Sequence, residues 1–200
     1  MNKRFLLLLL TVGAAATAQA QLRVGAKVGG SLTRAYGDNV AGIKNRLGVH
    51  AGVMLHVALD ADDFFAIQPE ILYSQKGYKA ESGALKGRSR LHYVDVPILG
   101  RINADGFIFE AGPQLGYLAG VKNEQDSPLY GKESSTDLKG YNRFAFGYVA
   151  GVGYQLSNGV HVGLRYNGHV NSLLETLPNG QTPQAHNAAF QVFVGCLFKD

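Results

Sequence analysis

Several side chains of this sequence are of the types that carry out hydrolysis. Glu70 and Glu110 could serve as general acid and general base, which requires two carboxylates beside one substrate cleft. Ser172 and His169 could form a nucleophile and its base, with Glu175 orienting the imidazole. However, Ser172 and His169 fall on different faces of the predicted structure, and no cleft pattern accompanies the two glutamates. We therefore predict no catalytic residues and no enzymatic activity, with a lipid-modifying hydrolase as the alternative.

Metal and cofactor chemistry also require particular spacings. The histidines His50, His56, His161 and His169 match no metal-binding motif, so we predict no metal site. The Gly-rich runs VGAKVGG and AGVGY are not followed by a helical pattern, which a phosphate loop needs, and no cofactor is predicted. The single Cys196 cannot form an internal disulfide, and its alternating surroundings indicate a small apolar filler.

The elements that position these residues are β-strands, and the clearest is a hairpin over residues 144–170. Apolar residues occupy every second position of its first arm, which is the period of a strand with one apolar face: Phe144, Phe146, Tyr148, Ala150, Val152, Tyr154 and Leu156. Cross-strand partners must share a face, and a three-residue loop pairs Leu156 with Val160, both apolar. We therefore predict the loop 157–159, with Gly159 in the left-handed conformation.

The same alternation predicts eight strands along the chain. They cover residues 22–32, 47–59, 65–75, 90–102, 107–121, 144–156, 160–170 and 188–198. Long polar connections (33–46, 76–89, 122–142 and 171–187) alternate strictly with short turns. Outer-membrane barrels have short periplasmic turns and long external loops. We therefore predict an all-β fold, a closed eight-stranded antiparallel up-and-down transmembrane β-barrel whose apolar face contacts lipid. A soluble periplasmic ligand-binding barrel, with its apolar face inward, is the alternative.

The first 20 residues have the features of a cleavable signal peptide. Lys3 and Arg4 precede an apolar run, and Ala18-Gln19-Ala20 is a cleavage site of the A-x-A type. We predict a signal peptide over 1–20, a barrel domain over 21–200 and export to the outer membrane. Loss of the two basic residues lowers the formal net charge from +4 to 4 − 2 = +2, which gives no support for nucleic-acid binding.

Charged residues occur on the face of the strands that must point into the barrel. They are Lys27, Glu70, Asp95, Glu110, Arg101 and Arg165. Counted from the turn end of each strand, three acids and two bases fall at similar depth, and a buried charge needs a partner. We therefore predict a structural, salt-bridged plug that fills the lumen, with a proton or ion path as the alternative.

Pro69, Pro97 and Pro113 lie in mid-strand, where each removes a ladder donor, so we expect bulges or local breaks.

Four phrases of the sequence carry a family resemblance. IQPEILYSQKG, LHYVDVPILGR, FIFEAGPQLGYL and FGYVAGVGYQLSNGVHVGLRYN resemble the PorT-like outer-membrane β-barrel proteins of the Bacteroidota. The resemblance covers most of the mature chain and implies an eight-stranded barrel in the outer membrane. The namesake of that family is linked to a secretion system, a role that fold alone does not transfer. The partners we expect are outer-membrane lipid, the barrel assembly machinery and an unidentified partner of the external loops. Through these loops the protein would have a structural, adhesion or secretion-accessory role.

Overall fold

Ten β-strands make up the described part of the computed structural model, which covers residues 22–37, 43–82, 85–127, 131–175 and 185–198. They are β1 (Leu22–Gly37), β2 (Ile43–Lys44), β3 (Arg46–Ala58), β4 (Phe65–Ser82), β5 (Leu85–Ala104), β6 (Phe107–Ser127), β7 (Gly131–Ser135), β8 (Phe144–Gln155), β9 (Val160–His169) and β10 (Ala185–Leu197). The proposed signal peptide and its cleavage site lie outside these ranges. In the same ranges, no helix has the length and apolar character of a membrane span.

Eight of the strands close into a ring. Each of β1, β3, β4, β5, β6, β8, β9 and β10 pairs antiparallel with its neighbour along the chain, and β1 pairs with β10 to complete the circle. Three short connections, at 59–64, 105–106 and 156–159, lie at one end, which we call the turn end. The opposite end, with the long connections, is the loop end. The predicted up-and-down barrel is thus confirmed, and β2 and β7 are additions outside the ring.

The apolar face of the strands points outward. Val28, Leu164 and Val192 in three different strands are 60%, 57% and 62% exposed, while the inward Leu72 and Leu99 are fully buried. This orientation contradicts the alternative of a soluble barrel with an apolar interior, because an exposed apolar surface of this extent requires lipid.

Aromatic residues border this outward band at both ends. At the turn end they include Phe65, Phe107 and Tyr154, and at the loop end Tyr73, Tyr117 and Phe144. The ten steps from Phe107 to Tyr117 along β6 amount to roughly 33 Å of strand, or about 25 Å across a membrane at the usual tilt of roughly 40°. The band therefore matches the hydrocarbon layer of a bilayer, with aromatic girdles at its two interfaces.

The predicted hairpin loop has the expected geometry. Leu156 N donates to Val160 O at 2.8 Å, and Gly159 N donates to Leu156 O at 3.0 Å. Gly159 has a φ of 88°, the left-handed conformation that a residue with a Cβ rarely adopts. The three-residue form is therefore confirmed, and the register that follows keeps Val162 and Tyr154 on the same outward face.

Two of the predicted long loops are largely strand, which corrects the sequence prediction. The β4–β5 ladder continues without interruption from the pair Leu72–Asp95 to the pair Ser82–Leu85, through the segment 76–89 that we predicted as loop. Likewise β6 extends to Ser127 and pairs with β7 through the segment 122–142. The polarity of these segments reflects their position beyond the lipid-facing band, where both faces of a hairpin can be polar, and does not indicate irregular structure.

One bulge reverses a predicted face. His92 pairs with Gly120 and Tyr93 with Leu118, so Ala119 is an extra residue in β6. Beyond this bulge the alternation shifts by one, and Val121 is buried at 3% exposure. Strict alternation from Phe107 to the end of the predicted strand 107–121 places Val121 outward, and the bulge is the reason why it points inward instead.

The three mid-strand prolines interrupt pairing but do not produce bulges. The β3–β4 ladder skips two pairs at Pro69, the β4–β5 ladder two at Pro97 and the β5–β6 ladder two at Pro113. In each case the register resumes unchanged on the far side, and pairing on the other edge of the same strand continues. Each proline thus removes a donor from one edge only, which breaks the ladder locally.

Candidate functional site

A cluster of four charged side chains lies at the centre of the lumen. Lys27 Nζ is 2.7 Å from Glu70 Oε1, and the Arg165 guanidinium is 2.8 Å from Glu70 Oε2 and 2.7 Å from Glu110 Oε1. β1, β4, β6 and β9 each contribute one of these residues. Two cations and two carboxylates form a neutral group, and the Phe193 ring lies 4.1 Å from Lys27 Nζ and supports it through a cation–π contact. We call these four residues the central cluster.

Asp95 is separate from the central cluster and pairs with a residue that we had placed in a loop. Lys76 Nζ is 2.7 Å from Asp95 Oδ2 and 3.1 Å from His169 Nε2, and it lies 4.9 Å from the centre of the Tyr93 ring. Lys76 was missed because polar residues around it hid the alternation of β4. Its even number, which it shares with the inward residues Glu70 and Leu72 of the same strand, is the signal that could have assigned it to the inward face.

Arg101 belongs to a third group at the turn end. Its guanidinium donates to Gln68 Oε1 at 2.8 Å and to the side-chain carbonyl of Gln155. Next to it, His56 Nδ1 is 3.3 Å from Gln68 Oε1, and its Nε2 is 2.6 Å from Asp63 Oδ1. Two amide side chains therefore bind Arg101, and Gln68 connects it to His56, which the residue count from the turn end did not reveal.

The turn between β3 and β4 contributes the acid of this third group. Burial acts to raise the pKa of Asp63, but hydrogen bonds from His56 and Arg23 outweigh it and hold that pKa below its usual value. The carboxylate is therefore ionised, and its contacts with Arg23 and His56 connect the turn to β1 and β3 at the turn end.

The three groups lie at different heights because barrel strands are staggered. A closed sheet has a shear, so equal counts from the turn end of two distant strands do not give equal height. The residue count groups Lys27, Glu70, Glu110 and Arg165 with Asp95, whereas the structure brings the first four together and places Asp95 nearer the loop end. Only a structure or a known shear number distinguishes the height of the central cluster from the height of Asp95.

An apolar cap closes the loop end above Lys76. Its buried members are Leu91, Tyr93, Leu118, Val121, Ala145 and Leu173. Tyr141 packs against it, and the Asn142 side chain donates to the carbonyls of Ser172 and Leu174, both at 2.9 Å, which ties the segment before β8 to the segment after β9. Burial and the neighbouring Tyr141 raise the pKa of Tyr78, at the edge of this cap, to about 12.

These layers leave no water-filled path along the described lumen. The six inward charged residues predicted from the sequence are each at most 5% exposed. A continuous water column would expose the side chains beside it, as it does in wide porins. Paired charges below and apolar side chains above therefore fill the barrel, which an eight-stranded ring is narrow enough to allow.

The residues considered for hydrolysis and metal binding have other partners. The Ser172 hydroxyl donates to the carbonyl of Ala185 at 3.4 Å, and His169 Nε2 is 3.1 Å from Lys76 Nζ. His50 Nδ1 is 3.0 Å from Ser31 Oγ, and His161 Nδ1 is 3.3 Å from the carbonyl of Gly159. Across the described ranges, no three His, Cys, Asp or Glu side chains are grouped in a way that could hold a metal ion.

The comparisons with known proteins agree with this geometry. A family model described as an outer membrane protein beta-barrel domain matches residues 17–175. The crystal structure of Ail, the attachment invasion locus protein of Yersinia pestis, is similar with a TM-score of 0.52 at 13% identity, covering 88% of this chain and 98% of Ail. Neisserial surface protein A gives a TM-score of 0.54 at 13% identity, covering 88% of this chain and 97% of that protein. No curated protein matches the sequence. At these identities, the similarity to the two solved structures establishes the fold.

Proposed function

This chain belongs to the outer membrane protein beta-barrel domain family, and on that premise we propose that it is a non-enzymatic barrel of the outer membrane that acts through its loop end. In this proposal the barrel anchors and orients the polar hairpins, and the lumen transports nothing. The role is structural, adhesive or accessory to secretion, and the phrases quoted above support membership of the PorT-like group of the Bacteroidota. The short turns face the periplasm and the loop end faces outward, as in other barrels of this kind.

The closed lumen is the observation that carries this proposal. The central cluster is neutral and fully paired, the Lys76–Asp95 pair lies above it, and the apolar cap covers both. Opening a path would separate buried ion pairs, which costs several kcal/mol for each uncompensated charge. A lumen of this kind suits rigidity and does not suit conduction.

The loop end, in contrast, offers ordered polar surface. The β4–β5 ladder and the β6–β7 pairing continue beyond the lipid-facing band, so backbone hydrogen bonds hold both hairpins in extended form. Functional contacts of barrel proteins are concentrated in such external segments, because the scaffold below fixes their position. We therefore assign partner binding to these hairpins.

An osmotic swelling assay tests the closed lumen. The full mature chain is refolded into phosphatidylcholine vesicles, and folding is verified by the shift of its gel band on heating. We expect vesicles in isosmotic solutions of small sugars to swell no faster than protein-free vesicles, while a general porin in the same lipid gives rapid swelling. Swelling that depends on sugar size would show that the protein is a conduit and would overturn the proposed function.

A further inference from the structure

A concave site with a cationic lining lies on the outer surface of the barrel near the loop end. It has a volume of about 410 Å³ and is lined by Leu32, Asn45, Arg46, Leu47, Lys79, Arg88 and Arg90. We call Arg46, Lys79, Arg88 and Arg90 the basic patch. None of the described residues that line the site is acidic, while the two leucines are 41% and 77% exposed and belong to the lipid-facing surface. The site thus joins an apolar floor to a cationic upper wall.

The cations of the basic patch are held close together by the β4–β5 ladder. Lys79 pairs directly with Arg88, and Arg90 lies on the same face two residues further along β5. Like charges directly opposite one another destabilise a sheet. A counter-anion bound between them would relieve this repulsion.

Arg46 is fixed in position beside these residues. Its guanidinium donates to the carbonyl of Lys76 at 3.2 Å and to Gln75 Oε1 at 3.0 Å, at the edge where β3 begins. Arg46 is 7% exposed, and its guanidinium, which stays protonated in proteins, has further N–H groups to donate. Arg46 is therefore a preformed part of the wall and not a freely moving surface side chain.

One carboxylate touches the patch from its far side. Glu124 Oε2 is 3.4 Å from Arg90 and 3.8 Å from Arg88, and Glu124 Oε1 is 3.2 Å from Lys122. Lys122 offsets Glu124, so the four cations of the basic patch keep an excess of positive charge at the concave site, while Asp126 and Glu133 line the adjoining hollow beyond Lys79 and Arg88.

The height of the site along the barrel narrows the choice of anion. The outward Tyr73, opposite Val94 in the ladder, belongs to the aromatic girdle at the loop end. Arg90 lies four residues beyond Val94 on the same strand face, or roughly 13 Å along the strand. The cations thus stand just outside the hydrocarbon layer, and Leu32 and Leu47 reach into it. Lipid phosphates occupy this depth, and Lys and Arg clusters at a membrane border recognise anionic headgroups.

From this arrangement we infer that the basic patch binds the phosphorylated headgroup of an outer-leaflet glycolipid, whose acyl chains lie against Leu32 and Leu47. Arginine is suited to such a partner because its planar N–H groups bind phosphate oxygens in pairs. The inference goes beyond the proposed function: it depends on the loop end facing the outer leaflet and is independent of whether the lumen is closed.

A lipid titration tests this inference. The full mature chain is refolded in phosphatidylcholine vesicles that contain increasing fractions of a bisphosphorylated glycolipid, and its thermal unfolding midpoint is measured. A ligand that binds only the folded state raises this midpoint in proportion to its occupancy. We expect the midpoint to rise with the phosphorylated lipid and to stay constant with the same lipid after dephosphorylation. Both leaflets of the vesicle contain the lipid, so the orientation of insertion does not affect the result.

Two matched variants separate a specific site from general charge. Arg88→Gln with Arg90→Gln removes two positive charges from the patch, and we expect the half-saturating lipid fraction to rise about tenfold, since hydrogen bonds to charged groups each contribute substantially to affinity. Lys139→Gln with Arg143→Gln removes the same charge from exposed residues before β8. This control should bind the lipid as the unmodified chain does.

Three results would overturn the inference. Equal stabilisation by the dephosphorylated lipid would mean that acyl contact alone is responsible. An equal loss of binding in the control variant would reduce the effect to net charge. If inorganic phosphate in the buffer stabilised the protein as strongly as the lipid, the patch would be a site for a free anion and not for a lipid headgroup.

Discussion

Replacing Arg165 with methionine should destabilise the barrel by about 3–5 kcal/mol, the usual cost of removing one partner from a buried ion pair. Arg165 is 2% exposed and touches both Glu70 and Glu110. Without it, Lys27 alone faces two carboxylates, which leaves one negative charge uncompensated inside the lumen. The measurement is the free energy of unfolding from urea titration in lipid vesicles.

A double variant supplies the control for this change. Arg165→Met with Glu110→Gln leaves the Lys27–Glu70 pair at 2.7 Å and restores a neutral lumen. We expect it to recover most of the lost stability, since neutral groups of similar shape often replace a buried ion pair at little cost. If the single Arg165→Met variant were as stable as the unmodified chain, the central cluster would not be buried and paired as described. The double variant keeps the test informative even if the single variant fails to fold.

Placing an arginine at Leu164 should cost about 2–4 kcal/mol, the usual penalty for a cation on the lipid face near the middle of the bilayer. Leu164 is 57% exposed and points outward from β9, between Val152 and Val192 on the two neighbouring strands. In a water-soluble protein the same change at an exposed position would alter stability by about 0.5 kcal/mol or less. Urea titration in vesicles again gives the free energy of unfolding.

Val170 provides the matched position. It lies six residues further along the chain, just beyond the end of β9 at the loop end, and is 66% exposed. The change Val170→Arg should cost only about 0–1 kcal/mol, because an arginine near the interface reaches water. Equal costs at the two positions would contradict a membrane boundary between them.

Much of the barrel could be predicted from the sequence because lipid imposes a strict period of two. Leu156 and Val160 show this clearly: requiring both to share a face was sufficient to define the three-residue loop and Gly159 within it. The faces of Lys27, Glu70, Glu110 and Arg165 followed from the same rule.

The rule failed where lipid no longer constrains the strand. Lys76 lies in a segment whose two faces are both polar, so its ladder partner Leu91 and its ion-pair partner Asp95 could not be identified from periodicity. The Val121 side chain points inward because of a single extra residue, Ala119, and no sequence signal near it marks a bulge. The basic patch likewise depends on the continued β4–β5 ladder, which brings Lys79 opposite Arg88.

The most direct test of this account is a pair of tryptophan reporters, since the chain contains no Trp. Phe190 and Phe193 are three residues apart on β10, but Phe190 is 65% exposed and Phe193 is 4% exposed. The change Phe190→Trp should place the indole in lipid, where brominated acyl chains quench its fluorescence. The change Phe193→Trp should place it beside the central cluster, shielded from brominated lipid and from a water-soluble quencher alike. Quenching of the Phe193→Trp protein by the soluble quencher would show an open lumen, and indifference of the Phe190→Trp protein to brominated lipid would contradict an outward apolar face in the membrane.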